Sequence, residues 1–153
     1  MFNIFRSANK STLKKVMFLC TANSCRSQMA EGFAKEYGKG LIEVFSAGLM
    51  AAGVNKKAAA VMKELGIDIS TQESKPIAEG LLKQMDLIVT LCVNAEEYCP
   101  RTPSNIKRIH WPIKDPVGTL GTEEHIMNDF RRARDEIRDK VRELIKQIAE
   151  GEI

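Results

Sequence analysis

From residue 15 onward, short continuous apolar runs alternate with stretches whose apolar residues recur at helical spacing. Lys15-Val16-Met17-Phe18-Leu19-Cys20 predicts a first, buried strand. The next stretch predicts a helix over about 27–37, with Met29, Ala30 and Phe33 on its inner face and Gly38 and Gly40 ending it. Leu41 to Ser46 predicts a second strand. Asn55 is a candidate N-cap for a helix reaching Leu65, with Gly66 past its end. A short helix is expected over Ile77–Lys83. The unbroken apolar run Asp86–Leu91 reads as a strand covered on both faces. A helical piece over Asn94–Tyr98, a fourth strand over Ile106–Trp111 and a loop over Pro112–Gly121 lead to a last helix, Thr122 to about Ala149. There Ile126, Phe130, Ala133, Ile137, Val141, Leu144 and Ile148 form one apolar stripe.

This alternation implies an α/β domain, a parallel sheet with helices on both faces. Ligands in such sheets sit at the carboxyl ends of the strands. Cys20, Cys92 and Asp115 each follow a predicted strand end and can converge there. At 153 residues the chain suits one domain that buries roughly 68–70% of its unfolded surface without disulfides. We expect that domain over 14–153 and a flexible extension over 1–13. Phe2, Ile4 and Phe5 in the extension leave a membrane-surface contact open, but the apolar run is too short for a secretory leader. The composition, 44% hydrophobic and 28% charged, is that of an ordinary globular protein. A net charge of +3 without long basic runs suits a small anion and argues against nucleic acid. No 18-residue apolar stretch exists, so no membrane span is expected. Cytoplasmic residence and a monomer are the expectation.

The chemistry concentrates in Cys20-Thr21-Ala22-Asn23-Ser24-Cys25-Arg26-Ser27, a C-x5-R-S loop between strand and helix. Such a turn aims backbone N–H groups inward at the positive end of a helix, a cradle for a tetrahedral oxyanion. The same helix end and the Arg26 guanidinium favour a thiolate at Cys20. Arg26 offers a planar pair of donors to oxyanion oxygens. Ser27 can donate its hydroxyl to the Cys20 sulfur. Asn23 and Ser24 tolerate tight or left-handed loop geometry. The plain alternative is a buried strand-end Cys20 and a surface Arg26.

Cys92 and Cys99 flank Val93–Tyr98 directly after the third strand. On spacing alone they are equally well two inert packed thiols. One C-x6-C pair, with His110 and His125 unpaired, is a poor match to structural zinc. Beside Cys20 they can form a relay: Cys92 attacks Cys20, and Cys99 resolves the Cys20–Cys92 disulfide. If 92–99 is helical, its ends are roughly 10 Å apart, whereas a disulfide spans about 4.4–6.8 Å between Cα atoms. The segment, bounded by Pro100 and Pro103, must then unwind on oxidation. Cys25 reads as a buried structural thiol. Asp115, held near a thiolate and an oxyanion, is a candidate general acid; it also reads as an Asp capping the turn before Pro116.

These residues carry a resemblance. The loop with its continuation Gln28-Met29-Ala30-Glu31-Gly32, Ser46-Ala47-Gly48, Val89-Thr90-Leu91-Cys92, Cys99-Pro100, His110-Trp111 and Asp115-Pro116 together resemble the thioredoxin-coupled arsenate reductases, built on the low-molecular-weight protein tyrosine phosphatase fold. The likeness covers about 14–149. It implies a flavodoxin-like, four-stranded parallel sheet. It also implies Cys20 as nucleophile, Arg26 as oxyanion binder, Asp115 as acid, and Cys92 and Cys99 as relay. Thr21, Ala22, Asn23, Ser24, Cys25, Arg26 and Ser27 would form the substrate cradle for arsenate, or for phosphate and sulfate as mimics. No bound cofactor is implied, and thioredoxin would be the external reductant. Asn23, Glu31 and Ser46 match a potassium site of some members, but Lys75 stands where those members place a carboxylate, so no metal is expected. The alternative is a phosphatase hydrolysing phosphate monoesters through a phosphocysteine. It leaves Cys92 and Cys99 unexplained, and no adjacent tyrosines follow Asp115-Pro116 to frame an aryl group.

Overall fold

The computed structural model describes residues 13–153. The flexible extension expected over 1–13, with its Phe2, Ile4 and Phe5, therefore lies outside the described residues except for its last position. Among the described residues nine elements follow in order: β1 Lys14–Cys20, α1 Arg26–Tyr37, β2 Ile42–Gly48, α2 Lys56–Lys63, α3 Glu79–Leu82, β3 Leu87–Thr90, α4 Val93–Tyr98, β4 Lys107–His110 and α5 Glu123–Ala149. The four strands form one parallel sheet in the order β2-β1-β3-β4.

Val16, Met17, Phe18 and Leu19 are all buried. Successive strand residues point to opposite faces, so β1 is covered on both, as its unbroken apolar run requires. The β3 residues Leu87 to Thr90 are likewise all buried. Helix α5 seals the core along the expected stripe. Phe130, Ala133, Ile137, Val141, Leu144 and Ile148 are buried, and Ile126 packs at the margin. Two caps act as their residue types predict. The Asn55 side chain accepts from the N–H groups of Lys57 and Ala58 at 2.9 and 3.0 Å. Thr122 Oγ1 accepts from His125 N at 3.1 Å.

Boundaries lie within one or two residues of the sequence expectation, and two of the shifts have a common cause at Gly48. Strand β2 runs beyond Ser46 to Gly48, because Gly48 stays in parallel register with Cys20. The short helix expected from Ile77 begins only at Glu79. Ile77 N donates to Gly48 O at 2.9 Å and Pro76 bridges Gly48, which holds that stretch extended.

The order β2-β1-β3-β4 places the reversal of connection between β1 and β3. In an open parallel sheet the crevice outside the strand ends at this point is the natural ligand site. Cys20 ends β1, and Cys92 follows β3 by two residues.

Candidate active site

The loop from Cys20 to Arg26 is held by its carbonyls. Those of Cys20, Thr21, Ala22 and Ser24 accept from the N–H groups of Leu49, Met50, Ala52 and Asn55 at 2.9–3.3 Å. With the carbonyls turned outward, no backbone N–H from Thr21 to Cys25 has a protein acceptor among the described residues. Buried backbone donors rarely go unpartnered. A row of them at the start of α1 fits an anion.

Asn23 makes the turn possible. Its φ of +45° lies in the left-handed region, which Asn tolerates better than most residues, and its fully buried side chain is the hub of a network. Oδ1 accepts from Lys75 N at 2.9 Å and from Gln28 Nε2 at 3.1 Å. Because the Lys75 amide can only donate, the Asn23 amide orientation is fixed. Nδ2 then donates to Ser27 Oγ at 2.8 Å and to Ser46 Oγ at 3.0 Å. Having accepted from Asn23, the Ser27 hydroxyl has its own proton free for Cys20 Sγ, 2.8 Å away. Ser46 passes its proton to Glu31 Oε1 at 3.1 Å. Gln28 is braced in turn by Gln72, whose Nε2 donates to Gln28 Oε1 at 2.8 Å.

A cavity of about 550 Å³ opens above the loop. Cys20, Thr21, Ala22, Ser24, Cys25 and Arg26 line one side, and Cys92, Val93, Asn94, Asp115 and Val117 line another. The three strand-end residues expected to converge do so. Arg26 is buried, with Nη1 donating to Ile113 O at 2.9 Å and Nη2 lying 3.4 Å from Asp115 Oδ2. The other Asp115 oxygen accepts from Val117 N at 2.9 Å. Asp115 therefore caps the turn around Pro116 and presents a carboxylate oxygen to the cavity, which accommodates both sequence readings of it. Cys92 Sγ lies 3.2 Å from Thr21 Oγ1 and accepts from Ala95 N at 3.3 Å as the N-cap of α4.

Cys99 is not in the cavity. It caps the other end of α4, is buried, and has its pKa raised by that burial. All four cysteines are free thiols. Burial, reinforced by Asp115 and Cys20, raises the Cys25 pKa well above the ordinary thiol range. Cys25 thus lines the cavity as a neutral thiol, in keeping with its structural reading. Among the described residues no group of three or more Cys, His, Asp or Glu side chains is arranged to hold a metal ion.

Sequence reasoning missed the brace on the Asp115 loop. Arg132 Nη2 donates to Lys114 O at 3.0 Å, Arg132 Nε to Asp129 Oδ1 at 2.7 Å and Thr119 Oγ1 to Asp129 Oδ2 at 2.5 Å. The loop is thus tied to α5 on both sides of Asp115. The Arg132 and Thr119 hydrogen bonds hold the Asp129 carboxyl down at about 2. The usual value is about 3.9, so the folded state binds this proton less readily than the unfolded chain. The resulting stability is full above the usual value and fades as pH falls through about 2. Asp129→Ala should cost about 1–2 kcal/mol at neutral pH. Urea midpoints of both proteins should converge as pH approaches 2.

The family described as low molecular weight phosphotyrosine protein phosphatase matches residues 15–152. An arsenate reductase of Halalkalibacterium halodurans is 52% identical over 129 residues, which is 84% of this chain and 93% of that protein. Two solved structures, an arsenate reductase in the phosphate binding state and one in the oxidized state, are each 39% identical. Each covers 89% of this chain and 99% of its own, with TM-scores of 0.73 and 0.77. A match of this extent makes the chain a member of the low molecular weight phosphotyrosine protein phosphatase family, in the group that includes these arsenate reductases.

Proposed function

We propose that the protein reduces arsenate to arsenite through Cys20, Cys92 and Cys99, and that thioredoxin regenerates it in the cytoplasm. The observation that carries this reading is Cys92, a buried thiol from outside the loop that lines the same cavity as Cys20. A phosphatase has no use for it.

Arsenate enters the cradle, its oxygens meeting the free N–H groups of the loop and the Arg26 guanidinium. The Ser27 hydroxyl donates to the Cys20 sulfur and steadies the thiolate. Cys20 Sγ forms a bond to arsenic, and an arsenic–oxygen bond breaks as Asp115 delivers a proton to the departing oxygen, which leaves as water. Cys92, as thiolate, then attacks Cys20 Sγ. The sulfur–arsenic bond breaks with its electron pair remaining on arsenic, which leaves as arsenite. Arsenic gains two electrons, and the two thiols become one disulfide. Cys99 attacks Cys92 next, freeing Cys20 and leaving a Cys92–Cys99 disulfide. Thioredoxin, a dithiol, reduces that bond by the same exchange.

The test is a reaction without external reductant. Fully reduced protein given excess arsenate should release one equivalent of arsenite, and peptide mapping should find Cys92 joined to Cys99. Arsenite release without that disulfide would reject the relay.

The residues around Glu31 do not fit a potassium ion. Lys75 Nζ lies 4.0 Å from Glu31 Oε1, and Lys35 Nζ lies 3.3 Å from Oε2. Both carboxylate oxygens already face ammonium groups, so the local negative charge that would attract a cation is neutralised. Exchanging sodium for potassium at constant ionic strength is therefore expected to leave turnover and melting temperature unchanged. A strong rise in either would contradict this.

A further inference from the structure

Helix α4 is pinned by a polar contact that the reaction above does not use. Glu96 Oε2 accepts from Thr90 Oγ1 at 2.5 Å. The same hydroxyl lies 2.9 Å from His110 Nδ1, and Arg108 Nη2 stands 3.9 Å from Glu96 Oε2. Thr90 is fully buried at the end of β3, and His110 ends β4. Since the Thr90 proton goes to the carboxylate, its lone pair is left for Nδ1–H of His110. On α4, Glu96 lies four residues after Cys92 and three before Cys99. That spacing places it on the stripe carrying both thiols.

We infer that Glu96 is a positioning residue that latches α4 to the sheet in the dithiol state and so sets how readily the Cys92–Cys99 disulfide is reduced. The inference rests on the relay proposed above. When Cys99 attacks Cys92 and Cys20 leaves as thiolate, the new bond requires Cα atoms within about 4.4–6.8 Å. A helix holds these two roughly 10 Å apart. The helix must open, and the Glu96–Thr90 bond must break with it. The latch therefore stabilises the dithiol form alone. Without it the disulfide is harder to reduce.

The experiment equilibrates the full chain with dithiothreitol redox buffers and measures the Cys92–Cys99 disulfide fraction by alkylation and peptide mapping. Glu96→Ala should shift the equilibrium about tenfold toward the disulfide, a potential about 30 mV more negative. The sign is diagnostic, because Ala is the better helix former, and a purely local effect would favour the dithiol. Glu96→Gln, which keeps an acceptor for Thr90, should remain near the native value. Glu97→Ala, changing the exposed neighbour, should not shift it. Thr90→Val should reproduce the Glu96→Ala shift, and the double variant should add nothing to either. Phosphate affinity of the loop, by calorimetry, serves as the folding control.

A native-like or less negative potential in Glu96→Ala overturns the latch while leaving the relay standing. Failure of the native chain to form the Cys92–Cys99 disulfide after arsenate turnover overturns both.

Discussion

Cys99→Ser is expected to yield a protein that reduces arsenate once and then stops. Its Cys20, Cys92, Arg26 and Asp115 remain, so arsenate is attacked, arsenite leaves and the Cys20–Cys92 disulfide forms. In the native protein Cys99 would open that bond and carry the oxidation to the far end of α4. The Ser hydroxyl is no nucleophile at neutral pH and leaves the bond where it formed. Both of its sulfurs lie among residues that are largely buried, since Cys20 is 3% and Cys92 7% exposed. Thiol–disulfide exchange needs access to the attacked sulfur, so thioredoxin meets a closed site. Arsenite release should stop at one equivalent per chain, and mapping should find Cys20 joined to Cys92. Hydrolysis of an aryl phosphate, which needs only the loop and an acid, should persist in the reduced variant. Sustained turnover by Cys99→Ser would show that Cys99 has no part in the relay.

The second large effect is expected at a residue with no side chain. Gly48 pairs with Cys20 across the sheet, and a Cβ placed there would stand 2.5 Å from Asn23 N, 2.5 Å from Met50 O and 2.9 Å from Ala22 C. All three are backbone atoms, so no rotamer change relieves the contact. Gly48 is also fixed from both sides, with its N–H donating to Lys75 O at 3.0 Å and its carbonyl accepting from Ile77 N at 2.9 Å. The loop must give way instead, and Ala22 and Asn23 supply N–H groups to the cradle. Gly48→Ala should cost about 1–3 kcal/mol in urea unfolding, the usual range for overpacking. It should also weaken phosphate binding at least tenfold, about 1.4 kcal/mol. Native phosphate affinity in a folded Gly48→Ala protein would mean that the cradle does not depend on this approach.

The strands and long helices were legible because their signals are local. The runs at Val16–Leu19 and Leu87–Thr90 could be buried on both faces only in a covered parallel sheet, and Asn55 announced its helix as a cap. The site was legible where chemistry followed a strand end, as at Cys20, Cys92 and Asp115. The limits of β2 and α3 were not, because both depend on Gly48 meeting residues distant in sequence. Several supports were also invisible. Gln72 reaches Gln28 across 44 residues, and Thr21 meets Cys92 across 71. Asp129 braces the Asp115 loop from a helix whose sequence signal was its apolar stripe. No spacing rule records such contacts, since each is made only when the sheet brings its strand ends together.

The most direct test of the central claim is arsenate-dependent NADPH oxidation with thioredoxin and thioredoxin reductase, on the native chain and on Cys92→Ser. The account predicts sustained oxidation by the native protein and none above background by the variant, with phosphate competing against arsenate. No arsenate-dependent oxidation by the native protein, together with aryl phosphate hydrolysis equal in both proteins, would contradict it. Cys20 would then serve a phosphatase, and Cys92 and Cys99 would be packing.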